Sequence, residues 1–252
     1  MSVVAALGLI AASPEVYILA GQSNMSGRGD IADLTQAERT PDPRIRLYGN
    51  DGRWRVATEP LDDATGQVDA VSADPRAAVG PGLFFARALD RPVVLIPCAK
   101  GGSAIAQWRP DTRPDTLYGS CLARARAAGG RITGVLWYQG ETDARDMAAA
   151  RRWGAAFAEL AQAFRRDLAA PRLPFVVVRL ADAPARAEDV GRYPGWTMVQ
   201  EAQARLRIRC VAVVRADGLP RLADDLHLTT AAQRVLGKRL ADAMLRQERR
   251  CR

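Results

Sequence analysis

The stretch VYILAGQSNMSGRGD, residues Val16 to Asp30, joins a continuous apolar run to a polar, glycine-rich turn. The unbroken hydrophobicity of Val16–Ala20 predicts a strand that is buried on both faces, as strands of parallel sheets are. The small and polar residues that follow predict a sharp turn into a helix. Ser23 lies at this turn. A serine there is commonly a helix N-cap, but it can also be a nucleophile, and this stretch alone leaves both roles open.

Apolar runs rich in Val, Ile and Leu recur along the chain and alternate with segments of helical pattern. This alternation predicts a parallel sheet with helices on both faces, and no linker or repeat divides the chain, so we expect one α/β domain over residues 15–252. The predicted strands are Val16–Ala20, Pro92–Cys98, Gly134–Tyr138, Phe175–Leu180 and Cys210–Val214, with Ile45–Tyr48 as a weaker candidate. The predicted helices are Gly82–Leu89, Thr116–Ala128, Arg145–Leu168, Thr197–Arg207 and Thr229–Arg246.

The segment from Gly49 to Gly80 has little periodicity and is rich in Asp, Gly and Pro. It is predicted to be a long surface insertion, and long loops in compact domains often carry function. Ligands of open parallel sheets bind beyond the carboxyl ends of the strands. The residues that directly follow each strand are therefore the candidates for a functional site.

The only histidine of the chain, His227, lies in the motif DDLH just before the last predicted helix. A serine nucleophile needs a general base, normally a histidine that is oriented by a carboxylate. If Ser23 is such a nucleophile, His227 is the only histidine that can serve it. A carboxylate three residues earlier can reach the ring, so Asp224 is the predicted orienting residue and Asp225 the alternative. A histidine near a helix start can also be a surface or capping residue.

The net charge of +8, from 36 basic and 28 acidic residues, raises the question of a polyanionic partner. All basic residues except Lys100 and Lys238 are arginines, and they are scattered without a basic block or interleaved aromatic residues. This distribution is typical of a solvated surface, so no nucleic-acid partner is predicted. An anionic substrate, such as a polysaccharide that bears uronates, remains compatible with the charge.

The four cysteines form neither a CxxC pair nor a cluster with histidine, which argues against a zinc site. One or two disulfides are compatible with Cys98, Cys121, Cys210 and Cys251, but the sequence leaves their pairing open. No apolar stretch reaches the roughly 18 residues of a membrane span, so no membrane partner is predicted. Residues 1–14 include an apolar run, as a signal segment does, but no basic residue precedes this run. They are therefore expected to be either a signal segment or a disordered start. A secreted, periplasmic or cytoplasmic location therefore remains open.

Four motifs follow one another along the chain, namely GQSNMSGRG, PCAKGGS, WYQGETD and DDLH. In this order they resemble the sequence blocks of the SGNH hydrolase superfamily, and more narrowly those of carbohydrate esterase family 6 and the sialate O-acetylesterases. The resemblance runs from Tyr17 to His227, nearly the whole chain. It implies a three-layer α/β/α sandwich around a central parallel sheet of about five strands. It also implies deacetylation of sugars without a metal or another cofactor.

By this resemblance Ser23 is the nucleophile, His227 the base and Asp224 the third member of a catalytic triad. The oxyanion would accept hydrogen bonds from the Ser23 N–H, from the N–H of Gly101 or Gly102, and from the side chain of Gln139. Each such donor typically lowers the barrier by about 3 kcal/mol. The alternative for Gln139 is a buried amide that ties two loops together.

Residues beside these motifs are expected to contact the substrate, namely Gln22, Asn24, Trp108 and Glu141. Trp108 is the expected wall of an acetyl pocket, and Asn24 can also link two motifs by hydrogen bonds. Glu141 and Asp143 are expected to be a loop brace and a helix cap rather than a glycosidase carboxylate pair. Arg28 is expected either to pair with an acidic neighbour or to face the substrate.

The expected function is that of a serine esterase that removes O-acetyl groups from carbohydrates of the acetylxylan or sialate type. The expected partner is thus an acetylated carbohydrate, whose identity the sequence leaves open, as it does the oligomeric state. One alternative is a lipase or thioesterase of the same fold, although the chain has no apolar lid segment. Another is a sugar-binding module without turnover, which the presence of Ser23, Asp224 and His227 argues against.

Overall fold

A computed structural model of the protein describes residues 14–252, so the expected signal segment or disordered start lies almost entirely outside the described part. Seven strands form one sheet. They are β1 (Glu15–Gly21), β2 (Ile45–Tyr48), β3 (Trp54–Val56), β4 (Val93–Pro97), β5 (Arg131–Tyr138), β6 (Phe175–Arg179) and β7 (Val211–Arg215). Their order across the sheet is β3-β2-β4-β1-β5-β6-β7. All neighbouring strands are parallel except β2 and β3.

Helices cover both faces of this sheet. They are α1 (Ser23–Ser26), α2 (Gln36–Arg39), α3 (Gly82–Leu89), α4 (Leu117–Ala128), α5 (Met147–Asp167), α6 (Trp196–Ala204) and α7 (Thr230–Arg250). Helices α3 and α7 pack together on one face, while α4, α5 and α6 lie on the other. Tyr17 of β1 packs edge-on against Phe85 of α3, and Trp137 of β5 contacts Phe157 of α5. The predicted three-layer α/β/α sandwich is therefore confirmed.

The sheet has two more strands than the resemblance implies. All five continuous apolar runs form strands, and the weaker candidate Ile45–Tyr48 is β2. The additional strand β3 lies inside the predicted insertion, where its three residues are too few and too exposed to show a periodic pattern. Helix α3 has the predicted bounds, whereas α7 continues to Arg250, beyond the predicted end at Arg246.

The central strands β1 and β5 bring two of the sequence motifs to the same edge of the sheet. Their register pairs Gly21 with Tyr138, the last residue of each strand. Gly21 has φ +131°, and a Cβ at this position would lie 2.1 Å from the carbonyl oxygen of Tyr138. Only glycine fits this close approach of two backbones. The backbone N–H of Gln22 then donates to the same carbonyl at 2.8 Å, which fixes the start of the turn.

Two disulfides complete the fold, Cys98–Cys121 and Cys210–Cys251. The first ties α4 to the end of β4, and the second ties the end of α7 to the start of β7. Within residues 14–252, no helix is both long and apolar enough to cross a membrane. In the same residues, no group of three His, Cys, Asp or Glu side chains is arranged to hold a metal ion.

Candidate active site

Ser23, His227 and Asp224 lie in hydrogen-bond contact at the carboxyl edge of the sheet. Ser23 is the first residue of α1, directly after β1, and His227 lies in the loop that precedes α7. The Nε2 atom of His227 is 2.9 Å from Oγ of Ser23, and its Nδ1 atom is 2.5 Å from Oδ2 of Asp224. The structure thus brings Ser23 into contact with His227, which lies 204 residues further along the chain, and with its neighbour Asp224.

Asp224 is held so that its carboxylate faces the imidazole. Its Oδ1 atom accepts the backbone N–H groups of Leu226 and His227, both at 3.0 Å. Partial burial alone would raise the pKa of Asp224, but the backbone and ring N–H groups of His227 outweigh this effect, and the pKa lies below its ordinary value. The carboxylate is therefore ionised at neutral pH.

Asp225, the alternative orienting residue, points away from the imidazole. Its side chain accepts the backbone N–H of Ala185 at 2.6 Å and pairs with Arg221 at 2.9 Å. The geometry therefore favours Asp224 over Asp225.

A cavity of about 220 Å³ opens at Ser23 and His227. It is lined by Gln22, Ser23, Arg76, Gly102, Glu141, Thr142, Arg145, Arg186, Arg192, Tyr193, Asp224, Leu226 and His227. The backbone N–H groups of Ser23 and Gly102 have no acceptor in the described part of the chain. These two groups are thus available to a bound oxygen atom.

Of the two glycines that were expected as alternative donors, only Gly102 lines the cavity. The N–H of Gly101 instead donates to Oδ2 of Asp74 at 2.9 Å. Because this hydrogen is engaged inside the protein, Gly101 is not available as an oxyanion donor, and Gly102 takes that place in the site.

Gln139 does not reach the cavity, which corrects its expected place in the oxyanion hole. Its side chain is fully buried, and its amide nitrogen donates to the carbonyl of Ser103 at 3.0 Å and to the carboxylate of Asp143. Its amide oxygen accepts the indole N–H of Trp153 at 2.9 Å. Both amide hydrogens are therefore engaged, and Gln139 is the buried amide that ties loops together.

Gln22 provides a side-chain amide at the place where Gln139 was expected to do so. Its Oε1 atom lies 3.4 Å from Nε2 of Gln139 and 3.4 Å from the backbone nitrogen of Thr142. Its own Nε2 atom has no acceptor among residues 14–252, and Gln22 lines the cavity. Gln139 thus orients Gln22, whose N–H groups are left to face the cavity.

Trp108 and Asn24 do not contact the cavity, so their expected roles in substrate binding are wrong. Trp108 is fully buried, donates its indole N–H to Oγ of Ser103 at 3.0 Å and packs edge-on against Trp137. Asn24 instead links motifs, as was also expected of it. Its side chain donates to Glu141 at 2.8 Å and accepts the backbone N–H of Leu228 at 3.0 Å. Its amide nitrogen also donates to the carbonyl of Leu226 at 3.3 Å, so Asn24 holds both sides of His227 relative to α1.

Glu141 lines the cavity and braces the loop through its bond to Asn24. Its second oxygen is buried and has no partner in the described part of the chain. Burial raises the pKa of Glu141 to about 7. Asp143 is not the expected helix cap, because it accepts the backbone N–H of Ile105 at 3.0 Å. The N-cap of α5 is Asp146, whose side chain accepts the N–H of Ala149.

The sequence patterns did not reveal the arginines at the cavity, namely Arg76, Arg145, Arg186 and Arg192. Arg186 and Arg192 share the carboxylate of Asp189, at 2.8 and 3.0 Å. Arg76 and Arg145 form no ion pair within residues 14–252. Arginines are scattered along the whole chain, so only the folded structure singles these out. The one sequence feature that pointed to any of these four arginines is the position of Arg76 in the insertion that was predicted to carry function.

The chain is similar to known carbohydrate esterases over nearly its whole length. The model of the carbohydrate esterase family of sialic acid-specific acetylesterases matches residues 13–246. A protein of Arabidopsis thaliana described as a probable carbohydrate esterase is 37% identical in an alignment of 254 positions that covers 92% of this chain and 90% of that protein.

Solved structures show the same fold. A crystal structure of an Arabidopsis thaliana protein has a TM-score of 0.79 at 35% identity and covers 93% of this chain and 98% of its own. A carbohydrate acetylesterase from Xanthomonas citri has a TM-score of 0.67 at 24% identity, covers 91% of this chain and 55% of its own, and supports the fold alone. With the match over nearly its whole length, the chain belongs to the family of sialic acid-specific carbohydrate acetylesterases and is a carboxylic ester hydrolase.

Proposed function

We propose that the protein is a serine esterase that removes O-acetyl groups from carbohydrates through an acyl-enzyme intermediate, with residues 15–252 as a single catalytic domain. The observation that carries this proposal is the line of contacts from Asp224 through His227 to Ser23, at 2.5 and 2.9 Å. A hydroxyl in this environment can lose its proton as it attacks, which a serine in water at neutral pH cannot do readily.

In the first step, Nε2 of His227 takes the proton of Ser23 as Oγ attacks the acetyl carbonyl carbon. The ionised Asp224 accepts the Nδ1–H bond and stabilises the imidazolium that forms. The negative charge that develops on the carbonyl oxygen is stabilised by the N–H groups of Ser23 and Gly102 and by the side-chain amide of Gln22. These donors are in place before the reaction, so they need no reorganisation when the charge appears.

In the second step, the tetrahedral intermediate expels the sugar oxygen, which takes the proton from His227. Ser23 is left as its acetyl ester. A water molecule then gives a proton to His227 and attacks the ester carbonyl, and the same three donors stabilise the second oxyanion. Collapse of this intermediate breaks the bond between the acetyl carbon and Oγ of Ser23, which takes the proton back from His227, and the acetic acid that leaves ionises to acetate.

The size and lining of the cavity favour an acetyl group over a long acyl chain. A volume of about 220 Å³ must hold the acyl group and part of the alcohol. The lining residues are mostly polar or charged, so an alkyl chain would gain little from burial there. This argues against a lipase or thioesterase. Hydrolysis of p-nitrophenyl acetate and octanoate compares the two directly, and a higher kcat/KM for the octanoate would contradict the proposal.

The mechanism is tested by acetate release from a panel of acetylated glycans, with wild type and Ser23→Ala side by side. We expect release by the wild type and none above background by the variant. A fluorophosphonate probe should label the wild type at Ser23 and leave Ser23→Ala unlabelled. A folded wild type that resists the probe and releases no acetate would favour a sugar-binding module without turnover.

We further propose that the acetylated sugar carries a carboxylate. Arg76 and Arg145 line the cavity on separate segments without an ion-pair partner in the described residues, and the carboxylate of Asp224, which also lines it, is engaged by His227. An anionic sugar would provide the missing partner, because guanidinium groups bind carboxylates in a bidentate manner. This favours a sialate-type or uronate substrate over the neutral residues of acetylxylan.

The matched test compares an O-acetylated sialic acid with its own methyl ester, which differs only in the charge of the carboxyl group. We expect a KM at least about 10-fold lower for the free acid, since hydrogen bonds to charged groups contribute about 1.5–3 kcal/mol. The difference should shrink as salt is added. An equal KM for acid and ester, or a preference for acetylated xylo-oligosaccharides, would contradict the proposal.

A further inference from the structure

The last part of the insertion, residues 73–79, lies against both motifs that provide the backbone donors of the proposed oxyanion hole. Gly29 and Val79 exchange backbone hydrogen bonds at 3.1 and 3.0 Å, and the N–H of Ala78 donates to the carbonyl of Gly27 at 3.2 Å. On the other side, Nζ of Lys100 donates to the carbonyl of Ala73. This segment therefore connects the chain after Ser23 with the chain before Gly102.

Asp74 makes the central contacts of this connection through one carboxylate oxygen. Its Oδ2 atom accepts hydrogen bonds from Oγ of Ser26 at 2.9 Å, from Nη2 of Arg28 at 2.7 Å and from the backbone nitrogen of Gly101 at 2.9 Å. Asp74 is only 3% exposed. Burial alone would raise the pKa of Asp74, but the hydrogen bond and charge of Arg28 outweigh it, and the pKa lies below its ordinary value.

The three donors belong to the two motifs of the oxyanion hole. Ser26 is the last residue of α1, the helix that Ser23 begins, and Gly101 directly precedes Gly102. A Cβ at Gly101 would lie 2.5 Å from both Oδ2 of Asp74 and Nη2 of Arg28. The backbone therefore lies so close to this ion pair that a side chain at position 101 would collide with it. With the N–H of Gly101 bound to Asp74, the next N–H, that of Gly102, is left to face the cavity.

We propose that Asp74 is a positioning residue of the oxyanion hole, which holds the N–H of Gly102 at a fixed distance from the N–H of Ser23. This inference rests on the proposed serine mechanism. Two donors on separate segments stabilise a transition-state charge only if their separation is fixed, because small misplacements of catalytic groups are costly. Asp74 does not touch the substrate, so its effect is on kcat and not on substrate binding.

If Asp74 only stabilised the insertion, its removal should affect kcat no more than the removal of another buried carboxylate there. Asp69 provides this matched control. It belongs to the same insertion and also accepts several hydrogen bonds, from Ser72 and from Oγ of Ser120, but it contacts neither motif of the oxyanion hole. Removal of either carboxylate should destabilise the insertion. Only removal of Asp74 should change the alignment of the donors.

The test compares Asp74→Ala, Asp74→Asn and Asp69→Ala in the full chain, with circular dichroism and Tm as checks on folding. For Asp74→Ala we expect kcat on an acetyl ester to fall on the order of 10- to 100-fold, KM to change less than about twofold, and the rate of fluorophosphonate labelling to fall in proportion to kcat. Asp74→Asn, which keeps an acceptor oxygen, should retain more activity, and Asp69→Ala should keep the wild-type kcat.

Two results would overturn the inference. One is a folded Asp74→Ala or Asp74→Asn variant with the wild-type kcat, and the other is an equal loss of kcat in Asp69→Ala. If Asp74→Ala does not fold, Asp74→Asn decides the question by the same criteria. Failure of the proposed function is separate, because it would appear without any change at Asp74, either as a wild type that releases no acetate or as acetate release that does not depend on Ser23.

Discussion

The side-chain nitrogen of Gln139 lies 3.4 Å from the side-chain oxygen of Gln22, so one buried amide orients another that faces the cavity. Gln139 follows β5 and Gln22 follows β1, and these strands are neighbours in the sheet. The contact links the ends of both strands behind the nucleophile. Gln139, the expected oxyanion donor, has no free N–H, whereas Gln22, which was expected to contact the substrate, has a free donor.

Replacement of Gln22 by Ala should lower kcat about 100-fold and leave KM nearly unchanged. The variant removes one donor to the oxyanion, and the loss of one such donor typically costs 100- to 1,000-fold in kcat. Steady-state kinetics on an acetyl ester measure the effect, and Gln22→Glu, which has a similar shape but no N–H, should be at least as slow. A Gln22→Ala variant with the wild-type kcat would exclude this residue from the oxyanion hole.

Replacement of Asp224 by Asn should lower kcat by several orders of magnitude, on the order of 10,000-fold in a comparable triad. The amide cannot accept the Nδ1–H bond in the same way, so the imidazole loses the tautomer that leaves Nε2 free for Ser23. The matched control is Asp225→Asn, because Asp225 contacts Arg221 and Ala185 instead of the imidazole. If the control variant were the slower one, the two aspartates would exchange roles.

The sequence was sufficient to predict what depends on local pattern. Continuous apolar runs located the buried strands of the sheet, and the position of a motif after a strand located Ser23 at its carboxyl edge. The short strand β3 could not be predicted, because its three residues pair only through contacts with β2. Its existence depends on the tertiary structure rather than on a local preference.

The choice between similar side chains could not be predicted from the sequence for the same reason. Gln22 and Gln139 have the same chemistry, and only the partners of each amide decide which one has free N–H groups. Gly101 and Gly102 were equivalent in the sequence until Asp74, from the distant insertion, was found to engage one of them. Trp108 was expected at the cavity because it follows a glycine motif, but its indole ring is buried beside Trp137.

Replacement of Glu141 by Gln should stabilise the protein at alkaline pH and have little effect at acid pH. Burial raises the pKa of Glu141 from its ordinary 4.5 to about 7. Between these values the unfolded chain has lost the proton that the folded protein keeps, so the contribution of Glu141 to stability falls as the pH rises from about 4.5 to about 7. Because Gln does not ionise, the variant does not lose stability in this way. Above pH 7 its free energy of unfolding should exceed that of the wild type by at most about 3 kcal/mol.

Denaturant unfolding of Glu141→Gln and wild type at pH 5 and pH 8 measures this difference in the free energy of unfolding. Gln can still accept the hydrogen bond from Asn24, so the loop that holds His227 should remain in place. Glu188→Gln, at a side chain that is 66% exposed, is the control and should change stability equally at both pH values. A pH-independent effect of Glu141→Gln would show that Glu141 is ionised throughout this range.

Replacement of Arg76 or Arg145 by Gln should raise KM for an O-acetylated sugar acid about 10-fold, with kcat nearly unchanged. Each variant removes a guanidinium that lines the cavity without an ion-pair partner in the described residues, and neither group contacts Ser23 or His227. The KM for the methyl ester of the same sugar should stay at the wild-type value, because the ester offers no charge to either arginine.

Arg151→Gln, an exposed position on α5 outside the cavity, controls for the net charge of the protein and should leave both KM values unchanged. If both cavity variants bound acid and ester as the wild type does, the preference for a carboxylate would have to be abandoned, whereas the roles of Ser23 and His227 would be unaffected.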